Sequence, residues 1–211
     1  MPKIKWMKKV AILVDWENLR KTLERAFKKF RISPDKFSYN DVDKLLLFIM
    51  SLLEEDEEVY RIFFYVSEPP KEARWRSATY SIDMDEKYRK IYENAVTFLE
   101  SLKTKDLVSI RKGKLEFRGY NSQNKPLFTQ KQVDMLIGLD MAHLSYLRLV
   151  DRVMVFSLDK DLIPALKIAR VNGLQVIIPT YKGLRQASPE LQEHADFIRY
   201  VDLAERLRNI S

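Results

Sequence analysis

Short runs of consecutive apolar residues alternate along the chain with longer segments in which apolar residues recur at helical intervals. The apolar runs cover residues 10–14, 62–66, 153–156 and 176–178. Runs of this length, rich in β-branched and aromatic residues, are typical of strands that are buried on both faces, as in a parallel sheet. We therefore predict four central strands.

The segments between these runs predict helices, because their apolar residues recur at intervals of three and four. Five helices are predicted, over residues 16–30, 41–53, 84–102, 133–144 and 162–169. Strands that alternate with helices of this length predict an α/β fold with a doubly wound, mainly parallel sheet and helices on both faces, a Rossmann-like three-layer arrangement. We assign residues 1–211 to a single domain.

One stretch, residues 67–120, departs from this alternation on either side of its helix. Residues 67–81 predict a long loop after the second strand. Residues 107–110 and 115–120, joined through Lys112-Gly113, predict a β-hairpin or an edge strand with a return. We therefore expect a loop-and-hairpin elaboration of the sheet in this stretch.

The composition excludes several classes of enzyme. The 211 residues include no cysteine, which excludes disulfides and thiol chemistry, and only two histidines, which argue against a zinc site. The five glycines lack the spacing of a dinucleotide-binding G-x-G motif or of a P-loop. The longest apolar stretch, residues 45–53, is about half the length that spans a bilayer. We expect a cytoplasmic protein with no membrane or targeting segment.

Positive charge is concentrated in two parts of the chain. The formal net charge is +7, and residues 1–31 and 103–131 each carry a large excess of Lys and Arg. Uneven basic charge on a soluble protein favours a polyanionic partner, most often a nucleic acid. The alternative is that these cations are solvated side chains on helix faces.

Acidic residues follow two of the predicted strands. Asp15 comes directly after the first strand, and Asp159 and Asp161 come after the strand over residues 153–156. In a doubly wound sheet, ligands bind beyond the carboxyl ends of the strands. Lys131 and Asp134 open the preceding helix and share one of its faces. If the two strands are neighbours, these carboxylates converge on one pocket.

Clustered carboxylates repel one another unless a cation compensates them. Mg²⁺ or Mn²⁺ prefers oxygen ligands, and two such ions are the usual apparatus for hydrolysing a phosphodiester. Asp140 lies six residues after Asp134, about 240° around the helix, so it should point elsewhere. The alternative interpretation is that each aspartate only caps a helix or opens its first turn.

Three short motifs together resemble the NYN domain family, which has the PIN-like (FLAP-nuclease-like) ribonuclease fold. They are residues 14–18, 131–134 and 157–164, and residues 187–197 also resemble the family's final helix and strand. The resemblance implies that the first strand lies beside the fourth main strand, and that the protein cleaves RNA endonucleolytically with Mg²⁺ or Mn²⁺. It also implies catalytic, metal-binding acids at Asp15, Asp134, Asp159 and Asp161, with Asn18 orienting a carboxylate or a water. Leu158 stands where most members have glycine, and residues 67–120 match poorly.

Substrate contacts are expected around this site and in the stretch that matches the family poorly. Cations mixed with aromatic rings are suited to gripping phosphates and stacking unpaired bases, which favours single-stranded RNA. The candidates are Lys131, Ser157, Lys160, Arg74, Trp75, Arg76, Arg111, Lys112, Lys114 and Arg118. The alternative is that the aromatic residues cover a sheet edge and the cations are merely solvated.

Two other kinds of function remain open at this point. A PIN-like domain could bind RNA or a partner protein without cleaving anything. A Toprim-type enzyme would use the Asp159-Lys160-Asp161 pattern, but it also needs a glutamate after an earlier strand, where this chain has Asp15. A haloacid-dehalogenase-type phosphatase needs an Asp-x-Asp pattern at the first strand, where the second acid is Glu17, so both alternatives fit less well. An exposed edge strand would also allow a homodimer.

Overall fold

A computed structural model describes residues 6–33, 37–68, 82–122 and 126–210. Its strands are β1 (Lys8–Asp15), β2 (Glu57–Glu68), β3 (Val108–Tyr120), β4 (Pro126–Lys131), β5 (Arg152–Phe156), β6 (Gln175–Tyr181) and β7 (Phe197–Val201). Its helices are α1 (Trp16–Phe30), α2 (Val42–Met50), α3 (Ile82–Lys103), α4 (Val133–Tyr146), α5 (Ile163–Val171), α6 (Pro189–Gln192) and α7 (Leu203–Asn209), with a 3-10 turn, Lys160–Leu162, before α5.

The strands form one sheet of order β4-β3-β2-β1-β5-β6-β7. Every neighbouring pair is parallel except β3 with β4. The predicted mainly parallel α/β sheet is therefore confirmed. The four predicted strands lie within β1, β2, β5 and β6. β1 pairs with β5, which is the fourth parallel strand along the chain when β3 is counted, as the family resemblance implies.

Each face of the sheet is covered by its own helices. Along β1, Val10, Ile12 and Val14 belong to the core under α1, α2, α3 and α7. Ala11 and Leu13 belong to the core under α4, α5 and α6. This alternation follows from the period of two in a strand and explains why the whole run is apolar. In the described part of the chain, none of the helices is long and apolar enough to cross a membrane.

Of the two arrangements predicted for residues 107–120, the hairpin that turns at Lys112-Gly113 is wrong. Residues 108–120 form the single strand β3, which runs parallel to β2 on one side and antiparallel to β4 on the other. Gly113 lies inside this strand because two segments pass close to it. A Cβ atom there would lie 2.7 Å from the Lys131 carbonyl oxygen and 2.8 Å from Val133 Cγ2. The glycine therefore marks a close backbone approach and not a turn.

We expect Gly113→Ala to destabilise the protein by about 1–3 kcal/mol, because the added methyl group must displace the junction between β4 and α4. Gly138→Ala is the matched control, since a Cβ atom there meets only Ala165 Cβ at an ordinary 3.6 Å. In the middle of α4, this change should stabilise the protein by about 0.5–1 kcal/mol. Urea unfolding of both variants measures the difference. A Gly113→Ala protein as stable as wild type would contradict the close approach.

A buried cluster of charged side chains lies near the amino-terminal ends of the parallel strands. The side chain of Glu57 is 0% exposed. It accepts hydrogen bonds from Arg152 Nη1 at 2.8 Å and from Arg199 Nη1 at 2.9 Å. These residues belong to β2, β5 and β7, so one carboxylate connects strands across most of the sheet.

Candidate active site

Asp15 is the last residue of β1 and also the N-cap of α1. Its backbone is extended, and its Oδ1 accepts a hydrogen bond from the Asn18 N–H at 3.2 Å. Asp159, three residues after β5, is the N-cap of the 3-10 turn, and its Oδ1 accepts a hydrogen bond from the Asp161 N–H at 3.0 Å. The helix-capping interpretation is therefore correct for both residues. Each carboxylate has a second oxygen that does not cap.

Ser157 connects the two strand ends. Its hydroxyl donates to Asp15 Oδ2 at 3.4 Å and accepts from Asn18 Nδ2 at 3.4 Å. The Asp159 N–H also donates to this hydroxyl, at 3.3 Å. The three residues adjoin because Val14 and Phe156 are partners in the β1–β5 register. Asn18 thus helps to orient Asp15 through its backbone N–H and through Ser157.

Asp134 enters from the first turn of α4. The preceding Gln132 has φ 74°, a left-handed conformation that turns the chain sharply from β4 into the helix. Partial burial and the charges of Asp159 and Asp161 raise the pKa of Asp134. Asp15, Asp134 and Asp159 line one cleft, and Asp161 is near enough for its charge to act on Asp134.

Asp15 is the most buried member of this group, with 6% of its surface exposed. Burial raises its pKa to about 6, and the charges of Asp134 and Glu17 act in the same direction. Hydrogen bonds from Asn18 and Ser157 lower it by less. Burial and the neighbouring carboxylates therefore both disfavour the charged form of Asp15.

A hard divalent cation fits this donor set in its chemistry, because all four candidates offer carboxylate oxygens. A cation bound between these carboxylates would offset their mutual repulsion. Among the described residues, no three histidine, aspartate or glutamate side chains surround one point as ready-made ligands. Asp15 and Asp159 each direct one oxygen to a backbone N–H, which leaves the second oxygen of each carboxylate for a cation.

The aspartates face a cleft of about 420 Å³ between α1, β4 and the start of α4. Asp15, Asp134 and Asp159 line it, and Asp161 lies beside it. Three exposed cations that the sequence pattern did not single out also line it: Lys21, Arg25 and Arg185. Lys21 and Arg25 follow Glu17 at intervals of four on α1, and Arg185 follows the carboxyl end of β6. Arg185 could have been predicted from this position after a strand, as Asp159 was.

Several predicted substrate contacts have acidic partners. Arg118 pairs with Glu116 at 2.8 Å, and Lys160 pairs with Glu190 at 2.8 Å. Lys112, Lys114 and Lys131 are exposed on β3 and β4, and Lys114 faces Lys131 in their register. Arg74, Trp75 and Arg76 lie outside the described residues. Leu158 is buried in the core under α4 and α5 and also lines the cleft.

Arg111 lies in a separate polar contact between the sheet and α4. Its Nε donates to Asp140 Oδ2 at 2.9 Å, and the buried Tyr65 hydroxyl donates to the same oxygen at 2.9 Å. Asp140 is thus turned toward β2 and β3, as its position on the helix predicted. The contact attaches α4, and with it Asp134, to the sheet.

The raised pKa of Asp15 predicts a stability that depends on pH. A carboxyl group with a raised pKa contributes its full stability below the unfolded value of 3.8 and loses it as pH rises through about 6. We expect Asp15→Asn to match wild type near pH 4 and to be up to about 3 kcal/mol more stable near pH 7.5 without divalent ions. Urea unfolding at both pH values measures this. The exposed Asp106→Asn is the control, and an equal gain in both variants would contradict the argument.

Comparisons with known proteins bear on the family of this chain. A search among curated proteins finds no match. One similar solved structure is that of the nicotinamidase SaPncA from Staphylococcus aureus, with 14% identity over 89% of both chains and a TM-score of 0.31. That likeness is too low to support an argument. A family model, the NYN domain, matches residues 9–204. With nearly the whole chain matched, the protein belongs to the NYN domain family, whose domains are of the ribonuclease type.

Proposed function

We propose that this protein is a divalent-metal-dependent endoribonuclease that hydrolyses phosphodiester bonds of single-stranded RNA. One observation carries the proposal: three separate segments deliver the carboxylates of Asp15, Asp134 and Asp159 to a single cleft. There the charge of Asp134 adds to burial in raising the pKa of Asp15. A structural role for these residues as caps does not require them to converge. NYN nucleases are generally dependent on divalent metals, in keeping with this charge.

The residues have distinct roles in this proposal. Asp15, Asp134, Asp159 and Asp161 would hold the metal, and two bound Mg²⁺ or Mn²⁺ ions would polarise the scissile phosphate and activate water. Ser157 and Asn18 fix the orientation of Asp15 through their hydrogen bonds. The remaining task is to hold the polyanionic substrate against a cluster of like charge.

The cations at the rim of the cleft are suited to that task. Lys21, Arg25 and Arg185 can bind the phosphates on either side of the scissile bond, because they line the same cleft as Asp15. Lys131, at the end of β4, can neutralise charge that develops during the reaction. Lys112 and Lys114 on the neighbouring strand extend this basic surface.

The direct test is cleavage of end-labelled single-stranded RNA by the purified full chain. We expect cleavage with Mg²⁺ or Mn²⁺ and none with EDTA, and products with 5′-phosphate and 3′-hydroxyl ends. A phosphomonoester should release no inorganic phosphate. Absence of RNA cleavage with every divalent ion would contradict the proposal.

The second candidate is a domain that binds RNA or a partner protein without cleavage. The capping bonds of Asp15 and Asp159, which leave no ready-made ligand set among the described residues, favour it. For such a domain, the affinity for RNA should fall steeply as the salt concentration rises and should be unchanged in Asp159→Asn. No divalent ion should support cleavage.

A homodimer that pairs two copies through an edge strand, β4 or β7, also stays a prediction, and sedimentation analysis would test it.

A further inference from the structure

A second cleft, of about 570 Å³, adjoins the one that holds the aspartates. The two share four lining residues, Glu17, Lys21, Phe128 and Gln130, so they form one continuous groove. The volume of the second cleft lies within the range of small-molecule sites. We call it the aromatic cleft, because partly exposed rings of Trp16, Tyr39 and Phe128 line it.

The rings of the aromatic cleft are held in fixed positions. Trp16 stacks on the buried Phe98, with 4.5 Å between ring centroids and 17° between planes. Tyr39 meets Trp16 edge-on at 5.9 Å and stacks on Phe27 at 5.8 Å. A rigid aromatic wall binds a flat ligand with little loss of side-chain entropy.

The polar lining of the aromatic cleft suits a neutral ligand. Arg20 is engaged by Glu17 and Glu24, and Glu24 also accepts from the Tyr39 hydroxyl. The positive charge of Arg20 is therefore compensated within the protein. Asn40, Asn94 and Gln130 add amides, each with donors and an acceptor. Rings combined with amides favour a planar heteroaromatic group over a phosphate.

We propose that the aromatic cleft binds one unstacked nucleobase of the same RNA strand whose backbone lies at the aspartates. This inference rests on the proposed function, in which single-stranded RNA is the substrate. Trp16 follows Asp15 directly in the chain, so the base would lie within a short reach of the scissile phosphate. A base that is paired in a duplex cannot enter, and single-stranded specificity follows from this site.

Filling the aromatic cleft tests the proposal without changing its charge. Ala95 lines the cleft from α3, so Ala95→Trp would occupy the space of a base. The matched control is Thr97→Trp, at an exposed position of the same helix. Affinity for a short fluorescent single-stranded RNA, measured by anisotropy with Ca²⁺, should fall about tenfold for Ala95→Trp and stay unchanged for Thr97→Trp.

RNAs with one abasic position make the test specific to a base. Wild type should bind an RNA with one abasic position about tenfold more weakly than the intact RNA. Ala95→Trp should bind the two RNAs with almost equal affinity, because its cleft is already filled. Equal affinity of the two tryptophan variants, or the same abasic penalty in both, overturns the proposal. Should Ala95→Trp fail to fold, Asn94→Ala replaces it and must alter the preference among the four homopolymers.

These outcomes separate the aromatic cleft from the nuclease proposal. Base-dependent binding without metal-dependent cleavage supports the cleft and contradicts the nuclease. Cleavage that Ala95→Trp and Thr97→Trp perform equally well supports the nuclease and contradicts the cleft.

Discussion

Asp134→Asn is expected to lower the rate of metal-dependent RNA cleavage by about 10³-fold or more, which corresponds to about 4 kcal/mol of transition-state stabilisation. An amide keeps the shape of the side chain but removes the charge that would hold a divalent ion. Single-turnover cleavage of labelled RNA with Mg²⁺ measures the loss. The variant should fold at least as stably as wild type, because neighbouring carboxylates and partial burial disfavour the charged form of Asp134.

Asp140→Asn is the matched control on the same helix. Asp140 faces Arg111 and Tyr65 instead of the cleft, so its charge should matter far less for cleavage. We expect a loss of less than about tenfold, with thermal unfolding used to confirm the fold. Equal losses in the two variants would refute the assignment of Asp134 to the metal site.

The second large effect is on stability. We expect Glu57→Ala to lower the free energy of unfolding by about 3–5 kcal/mol, because Arg152 and Arg199 would lose their buried partner. Both guanidinium groups are themselves largely buried, with side-chain exposures of 11% and 13%. Urea unfolding measures the effect. The exposed neighbour Glu58→Ala is the control and should change stability by less than about 0.5 kcal/mol.

The same cluster predicts sensitivity to acid. Burial raises the pKa of Glu57, but hydrogen bonds from Arg199, the Glu54 N–H and Arg152 outweigh it and leave the pKa lowered. A carboxylate with a lowered pKa stabilises the fold at pH values above its unfolded pKa of 4.5, and this stability is lost as pH falls through its pKa in the folded protein. The stability gap between wild type and Glu57→Ala should therefore narrow below pH 4.5. A gap that widens in acid would contradict the ion cluster.

The central strands were predictable because burial on both faces leaves an unambiguous run of apolar residues. The error came at β3, where Gly113 among lysines has the composition of a turn. What decides its conformation is the Lys131 carbonyl group and the Val133 side chain, which lie close in space but distant in sequence. Local composition does not contain that contact.

In the candidate site too, some features could be predicted from the sequence and others could not. Asp15 and Asp159 were identifiable because each lies at or shortly after the carboxyl end of a strand, and the topology brings those strands together. Trp16 belongs to an amphipathic stripe, which predicts core packing and conceals that this residue also lines a cleft. The convergence of α1, α3 and the β3–β4 pair depends on tertiary packing, which the sequence pattern leaves undetermined.

In the proposed enzyme, the position of Asp15 at the junction of β1 and α1 would link folding to activity. Its Oδ1 holds the first turn of the helix while its Oδ2 receives the Ser157 hydroxyl from the neighbouring strand. Unravelling of that first turn would free the carboxylate and dismantle the reaction centre in the same event. Loss of helical signal from α1 and loss of turnover should thus share one melting temperature, with no partly melted yet active species between them.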